Sequence, residues 1–334
     1  MLGSYVVRIL IDSARSKGAL SVLDVLCFHR VLAIHDPFRP DCPTAAQFRK
    51  RIGFYKKFAC VLPLVDALHA VVNERKPGFF AAVTFDDGYK DNIEVASPIL
   101  YEAGIRPTIF IASSFLNGSL MFNDIVDEAI RTTKLVELRV DELLPQPLSL
   151  ATMDQRITAA DLLNRKIKYL PPAERDRIAD RIAQISGLQN CASLTMTETE
   201  LKQAARSEID LGGHSHSHPI ATTVSEATFA SDVQENKIFL ENLTQKPLRC
   251  FAYPNGKITT DFLPVHEKIV SDAGYEYAFS TEKKLILPNA NRFALPRFSP
   301  WGHNNWTAMR QIMGAVSDTS PSVGLDTERK VFRK

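Results

Sequence analysis

The stretch FFAAVTFDDG, residues Phe79 to Gly88, joins an apolar run to two adjacent carboxylates and a glycine. An apolar run of this length, rich in aromatic and β-branched residues, is typical of a buried strand. Gly88 permits a sharp turn after the strand. Where the backbone bends at the strand's carboxyl end, Asp86 and Asp87 can both point into one site, although a surface turn is the alternative.

Similar runs recur along the chain and predict about eight strands. They are VLDVLCFH, CVLPLV, FFAAVTF, PTIFIA, EIDLGG, CFAYP, YAFS and ALPRFS. Helical patterns separate them, such as TAAQFRKRIGFYKKF and DNIEVASPILYEAGI, the second of which ends at Gly104 as a C-cap. Strand and helix alternate, so the sequence predicts an α/β fold built on a parallel sheet or barrel.

Three segments depart from this alternation. Residues 123–207 contain helical patterns and no convincing strand, which predicts a helical insertion in a catalytic domain spanning residues 21–313. Residues 1–20 have an apolar patch interrupted by charges, and we expect an amphipathic helix that packs on the core or lies on a membrane surface. Residues 314–334 are polar and aperiodic, which is typical of a disordered tail.

The composition limits the class of partner and the compartment. Forty basic and thirty-eight acidic residues give a net charge of +2, so no overall field favours nucleic acid. The five cysteines are odd in number, widely spaced and free of any C-x-x-C pair, which favours free thiols in a reducing compartment. The amino terminus is a poor signal peptide. We therefore expect a cytoplasmic protein, with association at the inner face of the membrane as an open alternative.

The second polar stretch is LGGHSHSHPI, in which His214, His216 and His218 alternate with serines. Histidines four residues apart can meet on one metal ion if the backbone turns helically after a strand, and Pro219 favours such a turn. A fully extended backbone would instead put all three on one face. A solvated polar loop or a hydrogen-bonded core cluster remains an alternative.

Asp87 with His214 and His218 would supply one oxygen and two nitrogen ligands. Three protein ligands leave a coordination position open for water, which is typical of a catalytic rather than a structural site. A divalent ion there would polarise a carbonyl group, and Asp86 would act as the general base. The substrate bond would then be an ester or an amide.

The order TFDDG, HSHSHP, FAYPNG and LPRFSPWG resembles the polysaccharide deacetylase family, whose catalytic domain is the NodB homology domain. The resemblance extends from about Val25 to Gly302 and implies a deformed (β/α)7-type barrel. It also implies a divalent metal, usually Zn²⁺ and sometimes Co²⁺ or Ni²⁺. The metal ligands that it implies are Asp87, His214 and His218, while His216 occupies a variable position.

The resemblance also implies roles in catalysis. Asp86 corresponds to the base and Arg297 to an arginine that orients it, while the backbone of Tyr253 would help to hold the oxyanion. No histidine after Arg297 fits the family's late leucine-x-histidine motif cleanly. VLCFHRV resembles the first-strand motif of exopolysaccharide-modifying members, so His29 is the expected general acid, with a structural histidine at a strand end as the alternative.

These features predict a metal-dependent hydrolase that removes the acetyl group from an N-acetylated amino sugar and releases acetate. The glycan could be a polysaccharide, a lipid-linked oligosaccharide or an exopolysaccharide precursor. Two alternatives remain open. One is a hydrolase of a non-sugar amide or cyclic ureide on the same fold, and the other is a carbohydrate-binding homologue without activity. The oligomeric state is not predicted.

Overall fold

The computed structural model describes residues 21–189, 193–207 and 209–297. The amphipathic helix expected over residues 1–20 and the tail expected over residues 314–334 lie outside these residues. Within the described ranges, no helix combines the length and the apolar character needed to cross a bilayer.

The strands that the structure describes are mostly short. They are β1 (Ser21–Phe28), β2 (Cys60–Val61), β3 (Gly78–Phe85), β4 (Thr108–Ile111), β5 (Glu137–Leu138), β6 (Leu148–Ser149), β7 (Asp210–Gly213), β8 (Cys250–Ala252) and β9 (Tyr277–Phe279). Seven of them form one parallel sheet in the order β1, β3, β4, β7, β8 and β9, with β2 also paired to β3. β5 and β6 form a separate antiparallel pair.

Helices surround this sheet. They are α1 (Ala45–Tyr55), α2 (Leu64–Leu68), α3 (Ser97–Glu102), α4 (Phe122–Thr132), α5 (Met153–Ile167), α6 (Pro172–Ser186), α7 (Glu198–Ser207), α8 (Glu226–Thr244) and α9 (Pro264–Asp272). Five-residue π-helical turns precede α3 and follow α2. Parallel strands connected through helices match the predicted α/β fold of the (β/α)7 type.

β3 is buried on both faces, as its apolar sequence predicts. Phe79, Val83 and Phe85 belong to the hydrophobic cluster that lies under the outer helices. Phe80 and Ala82, which alternate with them, belong to the second cluster. Because both faces of this strand meet a hydrophobic core, its sequence does not alternate between apolar and polar residues.

The predicted eighth strand, ALPRFS, contributes one isolated β-bridge within the described residues. Leu295 forms an isolated parallel bridge with Phe279 of β9. Pro296 follows directly and has no N–H group with which to extend the ladder. Residues 298–299 of this run lie outside the described residues.

The segment between β4 and β7 contains α4 to α7, in agreement with its helical patterns. α4, α5 and α6 enclose a hydrophobic cluster of their own, which includes Val126, Leu163 and Ile182. Leu201 of α7 packs instead in the cluster beneath the outer helices of the main sheet. The sequence showed no strand here, but β5 and β6 pair over two residues each, too few for a periodic pattern.

Candidate active site

The predicted site residues follow directly after the carboxyl ends of parallel strands. Asp86 follows β3, and its backbone N–H donates to the carbonyl of Phe28 at the end of β1 at 2.9 Å. His214 follows β7, and its N–H donates to the carbonyl of Ile111 at the end of β4 at 3.1 Å. The parallel register therefore brings residues that are far apart in the sequence to one edge of the sheet.

The turn after β3 allows two adjacent carboxylates to face one site. Asp87 has a φ of +75° and Gly88 a φ of +88°, both in the left-handed region. Aspartate tolerates this region better than most residues, and glycine adopts it without strain. A Cβ atom on Gly88 would also lie 3.1 Å from the side chain of Ile111. The left-handed turn interrupts the strand's alternation of side chains, as the Asp-Asp-Gly sequence predicts.

Asp87, His214 and His218 form the group that could hold a metal ion. The Nε2 atoms of His214 and His218 each lie 3.5 Å from Oδ1 of Asp87. The candidate ligand atoms all lie within 4.8 Å of one another. Asp87 Oδ1 is buried and has no hydrogen-bond partner among the described residues. A buried, unpartnered carboxylate oxygen beside two imidazole nitrogens fits a divalent cation.

Hydrogen bonding orients the ring of His214, and burial keeps the ring of His218 neutral. Nδ1 of His214 donates to the carbonyl of Ala252 at 2.7 Å, which leaves Nε2 with its lone pair toward Asp87. Burial lowers the pKa of His218 to about 3, so this ring is neutral. Burial also acts to lower the pKa of His214, but the nearby carboxylates of Asp86 and Asp87 outweigh it and raise that pKa.

His216 lies apart from this group. Its Nδ1 is 2.9 Å from Oγ of Ser113, and its Nε2 is 3.4 Å from Oε1 of Glu235. The expected helical turn is absent, because Ser215 and His218 have φ values of +64° and +53°. Two left-handed residues, rather than a helical backbone, therefore bring His214 and His218 together and turn His216 away.

Asp86 is the second predicted carboxylate, and it forms the ion pair with Arg297 that the family resemblance implied. Nη1 of Arg297 donates to Oδ1 at 2.6 Å and Nη2 donates to Oδ2 at 2.8 Å. The Asp86 carboxylate is 2% exposed. Burial raises its pKa, but the charge and hydrogen bonds of Arg297 together with the charges of nearby histidines outweigh this and hold the pKa well below the ordinary value. Asp86 is therefore ionised at neutral pH.

His29 is exposed at the end of β1 and lines a cavity of about 690 Å³ together with Asp87. Its backbone carbonyl accepts a hydrogen bond from Nδ2 of Asn92 at 2.8 Å. The structure thus brings His29 to the cavity that Asp87 of the metal group also lines. The acid role of His29 stays a prediction.

Tyr253 does not have the arrangement expected for an oxyanion donor. Its backbone N–H donates to the carbonyl of Phe279 at 3.1 Å and continues the hydrogen bonding between β8 and β9. Its ring stacks on Phe262 at 3.8 Å, and its hydroxyl donates to the carbonyl of Phe293. The oxyanion role expected for this N–H is therefore not supported, because the sheet already uses the donor.

The structure adds residues that sequence reasoning missed. Sγ of Cys27 lies 3.6 Å from Oδ2 of Asp86 and provides a third contact to that carboxylate. The hydroxyl of Tyr89 donates to Asp124 of α4 at 3.0 Å, and both residues line the cavity. Tyr89 stands next to the TFDDG motif, but nothing in the local sequence indicates its distant partner.

Comparisons with known proteins relate part of the chain to polysaccharide deacetylases. The family model for polysaccharide deacetylase matches residues 177–278, which include His214 and His218. A poly-β-1,6-N-acetyl-D-glucosamine N-deacetylase of Staphylococcus aureus (strain MSSA476) is 38% identical over 73 residues. The match covers 22% of this chain and 24% of the relative, so the chain spans about a quarter of that relative's length. The resemblance to the polysaccharide deacetylase family is confirmed over the matched segment.

Solved structures show the same fold. The deacetylase PplD of Streptococcus pyogenes, in complex with acetate, has a TM-score of 0.59 at 12% identity and covers 88% of this chain and 97% of its own. IcaB of Ammonifex degensii has a TM-score of 0.56 at 16% identity, with the same coverage of both chains. These likenesses confirm the predicted α/β architecture, a curled parallel sheet surrounded by helices.

Proposed function

We propose that this chain, whose residues 177–278 match the polysaccharide deacetylase family, hydrolyses the N-acetyl amide of an amino sugar and releases acetate. One observation carries the proposal. An ionised carboxylate, Asp86, held in a fork by Arg297, lies beside a ligand group of one oxygen and two nitrogens. The ligand group and a cavity wide enough for a small molecule share Asp87.

Asp87, His214 and His218 would hold a divalent ion, and Zn²⁺ suits one oxygen and two nitrogen ligands. Such an ion, when bound, supplies Lewis-acid polarisation of the amide carbonyl and a lower pKa for water. The hydrogen bond to Ala252 orients the ring of His214 for this purpose, and burial keeps the ring of His218 neutral. The choice among zinc, cobalt and nickel belongs to the proposal.

The chain's own residues supply the proton transfers. Asp86 would accept a proton from the attacking water on a carboxylate oxygen, and Arg297 keeps that carboxylate ionised and fixed in direction. A ring nitrogen of His29, exposed to the cavity, would donate a proton to the leaving amine. The amide C–N bond breaks, and acetate and a free amino sugar are the products.

The substrate class is part of the proposal. The Staphylococcus aureus relative is named for poly-β-1,6-N-acetyl-D-glucosamine, so β-1,6-linked N-acetylglucosamine oligomers are the first substrates to test. The cavity of about 690 Å³ is within the usual range for small-molecule sites. Cytoplasmic localisation, with or without attachment to the inner face of the membrane, stays a prediction that cell fractionation tests.

The decisive test is acetate release from these oligomers by the zinc-loaded protein and by Asp86→Asn. The variant keeps the shape of the side chain but cannot accept the proton, so we expect turnover to fall by about 10²- to 10⁴-fold while zinc stays bound. A substitution at an exposed aspartate, Asp272→Asn, serves as the control. Full activity of the Asp86 variant with bound zinc would contradict the base assignment.

A companion experiment concerns the acid. His29→Ala removes the exposed imidazole without touching the ligand group, so we expect a fall in kcat of about 10²-fold or more with unchanged zinc content. His69→Ala, at an exposed position on another part of the chain, is the matched control. Loss of zinc from the His29 variant would show that the residue supports the metal site instead.

A further inference from the structure

The loop between His214 and His218 is held by one carboxylate of α8. Oδ1 of Asp232 accepts the backbone N–H of His216 at 2.6 Å and that of Ser217 at 3.2 Å. Oδ2 accepts the same Ser217 N–H at 3.1 Å and the Ser217 hydroxyl at 2.5 Å. Asp232 is buried, while His216 and Ser217 are partly exposed. This side chain thus binds two of the three residues in the middle of the loop.

This loop needs an external support. Ser215 and His218 are in the left-handed region, which L-residues other than glycine, asparagine and aspartate rarely occupy. Such conformations persist only where the surrounding structure fixes them. The bonds from Asp232 lie between these two residues, at the point where the chain must keep its direction for both imidazoles to face Asp87.

α8 is itself fixed against the ends of the strands. One turn after Asp232, Nδ2 of Asn236 donates to the carbonyl of Ile111 and to Oγ of Ser113, each at 2.9 Å. A Cβ atom at Gly213, the last residue of β7, would lie only 2.8 Å from Oδ1 of Asn236. α8 therefore packs closely against β4 and β7, and this packing fixes the position of Asp232.

We propose that Asp232 is a positioning residue that sets the separation of His214 and His218 and thereby the affinity of the site for its metal ion. The inference rests on the metal site of the proposed function, but it does not depend on which bond is hydrolysed. The hydrogen bonds that Asp232 accepts within the described residues come from residues 216 and 217 and not from a ligand side chain. Asp232 acts through the backbone of residues 216–217.

The test measures Zn²⁺ affinity of the full chain by competition with a chelating dye. In Asp232→Asn, an amide NH₂ replaces one acceptor and faces the donors of Ser217, so we expect the Kd for Zn²⁺ to rise about 10- to 100-fold. Glu241→Gln is the matched control, since Glu241 also lies on α8 and accepts a backbone N–H, that of Leu248, at 2.8 Å. We expect wild-type affinity in that variant.

A second measurement uses the metal-free protein and needs no enzyme activity. Hydrogen exchange of the amides of His216 and Ser217 should accelerate in Asp232→Asn and stay unchanged in Glu241→Gln. Asp232→Glu, which keeps the carboxylate on a longer side chain, should recover part of the affinity and of the protection. Recovery by this variant would show that the carboxylate acts on the loop and that the effect of Asp232→Asn is not a general loss of folding.

The outcomes are distinct from those of the proposed function. Wild-type Zn²⁺ affinity in Asp232→Asn, or an equal loss in Glu241→Gln, would overturn the positioning role even if the protein releases acetate. A weakened site in the Asp232 variant alone would support that role even if no N-acetylated glycan were hydrolysed.

Discussion

In the proposed reaction, Asp86 must be ionised and correctly oriented to accept a proton, and its pairing with Arg297 favours both conditions. The fork of two hydrogen bonds fixes the plane of the carboxylate, and the thiol of Cys27 contacts one of its oxygens. The guanidinium is in turn held by the carbonyl of Ser280 and lies 5.0 Å from the ring centroid of Phe110. A buried carboxylate without this partner would favour its neutral form.

Removal of that partner should change the pH dependence of the reaction. In Arg297→Gln, burial still raises the pKa of Asp86 while the opposing charge is lost, so the pKa increases. The base is then protonated at a higher pH, and the acidic limb of the kcat/KM profile should move upward. We expect kcat/KM at pH 7 to fall about 10²-fold or more, measured as acetate release between pH 5 and pH 9.

Arg297→Lys tests the origin of this shift. Lysine keeps the positive charge but cannot form the two-point fork, so the acidic limb should move less than in the glutamine variant. A profile of Arg297→Gln with the same acidic limb as the wild-type protein would contradict the assignment of Arg297 as the residue that keeps Asp86 ionised.

The residues that the sequence identified are those whose role depends on a short local pattern. Asp86, Asp87, His214 and His218 stand at strand ends with a glycine or proline next to them, so their convergence could be predicted. Asp232 has no such pattern, because its partners lie about fifteen residues earlier in the chain. The Tyr253 N–H donates to the carbonyl of Phe279, and no local sequence pattern specifies this pairing.

At the scale of elements, the insertion contributes one wall of the cavity that His29 and Asp87 also line. Asn123, Asp124 and Asp127 of α4 face this cavity. The hydroxyl of Tyr89, which follows β3, donates to both carboxylate oxygens of Asp124 at 3.0 and 3.1 Å. This contact joins the insertion to the turn that carries the two aspartates of the candidate active site.

Loss of this contact should loosen the insertion. In Tyr89→Phe, the buried carboxyl group of Asp124 loses its hydroxyl donor, which costs about 1–3 kcal/mol. Because the metal ligands and Asp86 are unchanged, we expect a lower Tm and a higher KM for N-acetylglucosamine oligomers with a smaller effect on kcat. Thermal unfolding and steady-state acetate release measure these quantities.

Tyr101→Phe provides the matched control, since Tyr101 is 77% exposed on α3. We expect this variant to keep the Tm and KM of the wild-type protein. Equal changes in the two variants would show that the Tyr89 hydroxyl has no specific role in holding α4 against the cavity.

The alternation of strands and helices could be read from the sequence because each apolar run is bounded by turn residues or by a helical pattern. The pairing of β5 with β6 could not be predicted, since a strand of two residues is too short to show a periodic pattern. The run ALPRFS has the composition of a strand but gives one bridge, at Leu295, because the next residue is a proline. Element type follows from local composition, whereas strand extent depends on which partner is available.

For the whole molecule, several buried carboxylates influence how stability changes with pH. Burial raises the pKa of Asp24 and Asp124 to about 7 and that of Asp127 to about 6. Each of these groups holds a proton in the folded state at a pH where the unfolded chain has released it. These three groups therefore lower the free energy of unfolding as pH rises from about 4 to 7, whereas the lowered pKa of His218 acts in the opposite direction over part of this range.

Asp24 gives the clearest test, because it lies on β1 beneath α1, where Oδ2 accepts the hydroxyl of Tyr55 at 2.9 Å. Its raised pKa corresponds to a loss of up to about 4 kcal/mol of unfolding free energy between pH 4 and pH 8. Asp24→Asn is uncharged throughout, so its stability should fall less over this range than that of the wild-type protein. Asp124 and Asp127 remain, so part of the slope should persist.

Urea unfolding at pH 5 and pH 8, with a chelator present so that metal binding does not contribute, measures this difference. Asp272→Asn is the control, because that carboxylate is exposed and paired only with Lys268, and it should keep the wild-type pH dependence. If Asp24→Asn and the wild-type protein lose the same unfolding free energy between the two pH values, Asp24 does not hold a proton in the fold. The pH dependence would then have to come from other groups such as the carboxylates of the insertion, and a matching substitution at Asp124 would reduce it.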